Sequence, residues 1–148
     1  MVDLNGDYRY NILAAAAMLL QCQLAGVACG HSRRKYKIDY PDMGCGRYAS
    51  KLSDKEWVEF NSAIRVHQNY VEQLPIAVGG VLLGGLYFPR FSAALGAVYV
   101  VGRFLYAQGY TKFGPKGRMA GAITANLSAI ANLVTSFVGV YFAFKNGN

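Results

Sequence analysis

Four long runs of apolar residues constrain the fold of this 148-residue chain more than any other feature. They cover residues 10–30, 65–88, 91–110 and 119–144. A membrane-spanning helix needs about 20 mainly apolar residues. The first, third and fourth runs meet that length alone, and Arg103 is the only charged residue among them. The second run meets it only if its polar first half also enters the membrane.

We therefore predict an all-α membrane protein, a four-helix transmembrane bundle in up-down-up-down order, as a single domain over residues 1–148. The predicted helices cover residues 8–32, 54–87, 90–112 and 117–144. Hydrophobic residues make up 53% and charged residues 16% of the chain, against about 25% charged in soluble domains. The first run lacks the basic flank of a secretory signal and exceeds its core of about 7–15 residues, so we expect it to be retained.

The net charge of +7 could suggest nucleic-acid binding. The basic residues are instead distributed as in a membrane protein, which does not favour that function. Loops rich in Lys and Arg stay cytoplasmic. Most basic residues fall in the loops after the first and third helices: Arg33, Arg34, Lys35, Lys37, Arg47, Lys51, Lys55, Lys112, Lys116 and Arg118. We expect both loops to face the cytosol and both termini to face the other side. The three cysteines show no metal-ligand spacing, and no metal site is predicted.

The polar stretch at residues 64–75 is the strongest indication of function. If it is helical, Arg65, Asn69 and Glu72 lie at i, i+4 and i+7, on one face over two turns. Part of this face lies below the membrane surface, where ionisable groups are costly and by default functional. On the third helix, Arg103, Tyr106 and Tyr110 share a face in the same leaflet.

These two faces together hold more positive than negative charge. Burying unpaired cations is expensive, and a ligand with several negative groups would relieve the cost. The alternative is an internal network in which Glu72 pairs with Arg65 or Arg103 and stabilises the bundle. Taken alone, His67 is more typical of a structural histidine than of a ligand, since one histidine makes no metal site.

At these residues the chain resembles the membrane-associated proteins of eicosanoid and glutathione metabolism. The helix-two signature of that family is R-x-H-x-N-x-x-E-x-x-P, matched here by Arg65, His67, Asn69, Glu72 and Pro75. Residues 33–37, 67–69, 87–90 and 102–110 are similar to the type-three branch of microsomal glutathione transferases. The resemblance covers about residues 8–144.

The resemblance implies a homotrimer that binds glutathione between neighbouring protomers. Glutathione has two carboxylates and one ammonium, which suits the excess of positive charge. The resemblance implies these glutathione contacts: Arg33, Arg65, His67, Asn69, Glu72, Arg103, Tyr106 and Tyr110. It also implies Arg118 and Arg34 as the arginines that activate the thiol, although Arg118 lies one position later than the family arginine. No cofactor beyond glutathione as co-substrate is expected.

The function implied is a glutathione transferase that acts on a lipophilic electrophile, with peroxidase activity toward lipid hydroperoxides as a further expectation. The implied location is the endoplasmic reticulum, with the outer mitochondrial membrane as the alternative. The partners are glutathione, the lipophilic substrate, membrane lipid and further copies of the chain. A non-catalytic lipid-presenting protein of the same family is the second hypothesis. A small channel is the third, although the polar groups gather in one leaflet.

Overall fold

The computed structural model describes residues 6–147 and confirms the predicted four-helix bundle. The long helices are α1 (Arg9–Tyr36), α2 (Asp54–Gly85), α3 (Pro89–Phe113) and α4 (Met119–Asn146). Two short 3-10 turns, Ala49–Lys51 and Gly114–Lys116, lie in the connections after α1 and α3. The described residues contain no strand.

Local sequence signals set the helix ends. α1 continues past the predicted end at residue 32, through the basic segment, and stops where Lys37 adopts a left-handed conformation with φ of 54°. At the start of α2, the N–H of Ser53 donates to a carboxylate oxygen of Glu56 at 3.0 Å, which is one of the two reciprocal bonds of a capping box. Pro89 occupies the first turn of α3, where its missing N–H is tolerated.

The connections after α1 and α3 lie at the same end of the bundle. There, His31, Glu59 and Thr111, from three different helices, line one small surface pocket. At the opposite end, Nε of Arg90 donates to a carboxylate oxygen of Asp7 at 2.7 Å. The helices therefore alternate in direction, as predicted.

Among the described residues, α1 and α4 are the two helices long and apolar enough to cross a membrane by composition. α2 and α3 do not meet that criterion. α2 carries polar and charged side chains over its first half, and α3 includes a buried arginine, Arg103. Their polar groups therefore require partners inside the bundle or in an assembly.

Small residues bring α3 and α4 into close contact beside the polar end of the bundle. A Cβ atom added at Gly121 would overlap the backbone nitrogen of Tyr106. The absence of that Cβ lets the backbones of α3 and α4 approach each other, as small residues do between membrane helices. This contact places the start of α4 against the polar face of α3.

Candidate functional site

A cavity of about 390 Å³ lies between α2, α3 and the first turns of α4. We call it the arginine cavity. Four of the predicted site residues line it, one from α2, two from α3 and one from the start of α4: Asn69, Arg103, Tyr106 and Arg118. The remaining lining residues are Gln73, Met119, Ala122, Ile123, Asn126 and Leu127. Of the two polar faces, Asn69 on α2 meets Arg103 and Tyr106 on α3 within a single protomer. Arg65, Glu72 and Tyr110 do not line the cavity.

Arg103 is buried at the base of this cavity, with 4% of the residue exposed. Its Nη1 donates to the side-chain oxygen of Asn69 at 2.8 Å, and its guanidinium carbon lies 4.3 Å from the ring centre of Tyr70 and 4.6 Å from that of Tyr106. Its Nε has no hydrogen-bond partner. Within residues 6–147, no carboxylate pairs with this cation. Nη2 also donates to the carbonyl of Val66 at 3.4 Å. The charge is therefore held by an amide, a backbone carbonyl and two aromatic faces, and it remains uncompensated.

Arg118 reaches the same cavity from the connection before α4. Its Nη1 donates to the hydroxyl of Tyr106 at 3.3 Å, and its guanidinium carbon lies 5.6 Å from the ring centre of Tyr110. Its buried Nε also lacks a partner. The hydrogen bond to Tyr106 raises the pKa of Arg118 above its ordinary value, so this guanidinium stays charged. Tyr110 packs beside Tyr106, with 5.7 Å between ring centres, and completes the group.

Arg65 and Glu72 form an ion pair on the exposed face of α2. Nη1 of Arg65 lies 3.2 Å from a carboxylate oxygen of Glu72, and the two side chains are 46% and 51% exposed. One pairing of the internal-network alternative is therefore present. Arg103 takes no part in it and contacts Asn69 instead. Exposed ion pairs contribute little to stability, so this pair is free to exchange partners with a ligand.

Arg33, Arg34 and His67 do not line the arginine cavity. Arg33 is buried, with its Nη1 donating to the carbonyl of Asp42 at 2.6 Å and its guanidinium carbon 4.1 Å above the ring of Tyr40. Its neighbour Arg34 is exposed. Burial and backbone hydrogen bonding thus distinguish two arginines that the sequence presents as a pair.

His67 lies on the side of α2 that faces α1. Its imidazole is adjacent to Gly26, where an added Cβ would lie 3.2 Å from Nε2. Six predicted residues therefore lie outside the lining of the arginine cavity. Arg33, Arg34 and His67 belong to α1 or to the α1-facing side of α2, whereas Arg65, Glu72 and Tyr110 lie elsewhere on α2 and α3.

Gln73 and Asn126 line the cavity and were not predicted as site residues. Gln73 follows Asn69 by four residues, so helical register places both on the same face of α2. Asn126 follows Ala122 by four residues on α4, where the same reasoning applies. The helical spacing from the predicted Asn69 was sufficient to find Gln73, whereas no predicted residue on α4 lies one turn from Asn126.

In the described chain, no three histidine, cysteine or acidic side chains form a group that could hold a metal ion. The three cysteines, Cys22, Cys29 and Cys45, are free thiols.

The chain is similar to known proteins over most of its length. Residues 11–138 match the MAPEG family. Human microsomal glutathione S-transferase 2 is 31% identical over 126 residues, covering 83% of this chain and 78% of that protein. The bovine protein of the same name is 31% identical over 137 residues, covering 90% and 85%. The protein sll1147 of Synechocystis is 34% identical over 135 residues, covering 90% and 88%.

The family match confirms the resemblance seen in the helix-two signature. The similar transferases are named type two, whereas the motifs in the sequence resemble the type-three branch. The chain belongs to the MAPEG family, and it is a helical membrane protein.

Proposed function

We propose that this protein is a glutathione transferase and that glutathione binds in the arginine cavity. The observation that supports this most directly is the convergence of two charged guanidinium groups, Arg103 and Arg118, on one cavity. Each has a buried Nε without a partner. Neither is paired with a carboxylate of the described chain. Buried charge of one sign favours a ligand of the other.

The cavity suits glutathione in size and in polar groups. Its volume of about 390 Å³ lies within the range of about 300–1,000 Å³ that is usual for small-molecule sites. The two arginines provide donors for carboxylate or thiolate, and the amides of Asn69, Gln73 and Asn126 provide further donors and acceptors. Glu72 lies outside the lining of the cavity, one turn of α2 from Asn69, and would accept the glutathione ammonium in exchange for Arg65.

Arg118 is the residue we assign to the thiol. A free thiol has a pKa of about 8.5 and is mostly protonated at pH 7. A fixed guanidinium nearby favours the thiolate, and lowering the thiol pKa by two units corresponds to about 2.7 kcal/mol. Tyr106 holds Arg118 through its hydroxyl, so the cation is oriented before the ligand binds. Arg34, the other arginine assigned to activation, would act only from a neighbouring protomer.

The reaction we propose is nucleophilic addition of glutathione to a lipophilic electrophile. The thiol proton passes to water, and the thiolate attacks an electrophilic carbon. With an epoxide, a C–S bond forms, the C–O bond breaks, and the alkoxide takes a proton from water. The residues of the cavity supply orientation and charge stabilisation.

A peroxidase reaction would use the same thiolate. Attack on the distal oxygen of a lipid hydroperoxide breaks the O–O bond and leaves the lipid as an alcohol. The glutathione sulfur takes the distal oxygen and becomes a sulfenic acid, and the lipid alkoxide takes a proton from water. A second glutathione thiol then displaces the sulfenic hydroxyl as water and forms glutathione disulfide. Because this reaction needs the same thiolate, loss of Arg118 should reduce both activities.

We further propose that the site is completed by a second copy in a homotrimer. The cavity opens past Ile123 and Leu127, which are 53% and 62% exposed. The predicted residues it lacks, Arg34 and His67 among them, lie on the α1 side of the protomer. A neighbour that places its α1 against α4 would bring these residues to the cavity and cover the exposed apolar side chains.

The proposed location is the endoplasmic reticulum, or the outer mitochondrial membrane, with the connections after α1 and α3 in the cytosol. Glutathione would then enter from the cytosol and the lipophilic substrate from the bilayer. The arginine cavity lies at the end of the bundle that carries the basic connections, which agrees with cytosolic access.

The test is turnover by the purified protein in neutral detergent, with glutathione and a reactive aryl halide. We expect conjugate formation and an ultraviolet thiolate band when glutathione is added. Arg118→Gln should remove the band while glutathione still binds, and Arg90→Gln at the opposite end of the bundle is the matched control. Absence of both turnover and the thiolate band in the parent protein would refute the proposal.

A further inference from the structure

A second cavity, of about 410 Å³, lies between α1, α2 and α3. We call it the apolar cavity. Its walls are formed mainly by apolar side chains, including Leu24, Ala28, Val66, Phe104 and Ala107. Leu24 and Phe104 are 60% and 56% exposed on the outside of the bundle. The cavity therefore opens at the apolar outer surface of the protomer.

Most polar groups around the apolar cavity already have partners. The side-chain amide of Gln21 donates to the carbonyl of Val100 at 3.1 Å and accepts from the hydroxyl of Tyr70 at 2.6 Å. The hydroxyl of Thr111 donates to the carbonyl of Ala107 at 2.8 Å. Gln108 lies at the exposed edge of the lining. Arg103 is the one charged group among the described lining residues.

Arg103 lines both cavities. Its guanidinium lies between two rings, with Tyr70 on the side of the apolar cavity and Tyr106 on the side of the arginine cavity. The group is buried, and its Nε is unpartnered. An apolar cavity that opens at the apolar surface of the protomer and ends at a buried cation is complementary to a single-chain amphiphile with an anionic head.

We propose that the apolar cavity binds a long-chain fatty acid, with its carboxylate on Arg103 and its chain leaving between Leu24 and Phe104. This site is separate from the proposed glutathione site, but the two share one guanidinium. A single positive charge compensates one carboxylate, and a second anion beside the pair is disfavoured in a low-dielectric site. Fatty acid and glutathione should therefore antagonise each other, a consequence that rests on the proposed function.

The test is a calorimetric titration of glutathione into the protein in neutral detergent, with and without oleate. We expect oleate to raise the apparent Kd for glutathione by about fivefold or more, the lower range of coupling between two sites. Oleyl alcohol, with the same chain and no charge, should have no such effect. An equal effect of the alcohol, or no effect of oleate, would overturn the antagonism.

Cavity-filling variants locate the effect. Ala107→Leu on α3 should abolish the response to oleate and leave the glutathione Kd unchanged, because Ala107 lines the apolar cavity alone. Ala28→Leu fills the same cavity from α1, and this variant is used instead if Ala107→Leu does not fold. Ala97→Leu, on the exposed surface of α3 outside the cavity, should respond like the parent protein. Filled variants that respond as the parent does would overturn the assigned site.

A direct binding measurement separates this inference from the proposed function. Oleate should raise the melting temperature of the parent protein, and that shift should be lost in Ala107→Leu, whether or not glutathione binds. If glutathione fails to bind and the oleate shift remains, the proposed function is wrong and the fatty-acid site stands. If glutathione binds and no oleate shift is found, the fatty-acid site is wrong.

Discussion

Nη1 of Arg118 lies 3.3 Å from the hydroxyl oxygen of Tyr106, across the contact between α4 and α3. The ring of the same tyrosine covers the guanidinium of Arg103, 4.6 Å from its centre. Tyr106 therefore separates two cations and contacts both. Since Gly121 lets the α4 backbone approach Tyr106, the positions of both arginines depend on close packing of these helices.

Replacing Arg118 should affect the thiol more than the binding of glutathione. In Arg118→Gln we expect the pKa of the bound thiol to return toward about 8.5, which lowers turnover at pH 7 by roughly tenfold or more. The loss of turnover should become smaller as pH rises, because the thiol then ionises without help from a guanidinium. A pH–rate profile measures this, and a deficit that stays constant up to pH 9 would contradict the assignment.

The ion pair of Arg65 and Glu72 should matter for binding and little for stability. Arg65→Ala and Glu72→Ala should each change the free energy of unfolding by about 1 kcal/mol or less, as for exposed pairs, and weaken glutathione binding by roughly tenfold, the effect of about 1.4 kcal/mol. Lys35 and Glu59 form a pair of similar exposure at 3.1 Å. Lys35→Ala is therefore the matched control and should leave glutathione affinity unchanged.

The connection after α1 is organised around the buried carboxylate of Asp42. Backbone donation from Ala49 is the largest of the effects that lower the pKa of Asp42 to about 2. Further backbone N–H groups donate to the same carboxylate at 2.8 to 2.9 Å, from Gly44, Gly46 and Tyr48. The single tryptophan, Trp57, donates from Nε1 to the carbonyl of Gly44 at 2.8 Å, so its fluorescence reports the state of this connection.

Acidification should loosen that connection in a defined range. Because the pKa of Asp42 is lower in the folded protein than its ordinary value of 3.8, ionised Asp42 stabilises the fold above about pH 4, and this contribution is lost as pH falls toward 2. We expect a change in Trp57 fluorescence between about pH 4 and 2. Asp42→Asn should show the loosened signal already at pH 7, and an unchanged fluorescence in that variant would refute this role.

A larger side chain at residue 121 should damage the site through packing. Gly121→Val places atoms where the backbone of Tyr106 lies, and overpacking of this kind costs about 1–3 kcal/mol. We expect a lower melting temperature together with weaker glutathione binding. Ala120→Val, at an exposed neighbouring position of α4, should have little effect on either measurement. Equal effects of the two variants would argue against the α3–α4 contact as the cause.

The sequence was sufficient for the helices and for four residues of the arginine cavity. Apolar length predicted the four helices, and helical spacing placed Asn69, Arg103 and Tyr106 on meeting faces. The end of α1 was predicted too early, because the basic segment before Lys37 remains helical. Spacing could not predict this, since lysine and arginine are compatible with both helix and loop.

The difference between Arg33 and Arg34 lay beyond sequence reasoning. Arg33 is fixed by the carbonyl of Asp42, a contact that depends on how the connection folds back over α1. No periodic pattern encodes it. In the same way, the side of α2 on which His67 packs follows from the position of α1 at Gly26, which only the three-dimensional arrangement provides.

The most direct test of the account is a calorimetric titration of glutathione into the parent protein and into Arg103→Gln. If two uncompensated guanidinium groups form the site, the parent binds glutathione and the variant binds it at least roughly tenfold more weakly, the loss of a charge-assisted contact. A circular dichroism spectrum like that of the parent must accompany this loss. Glutathione binding of equal affinity in the two proteins would contradict the central claim.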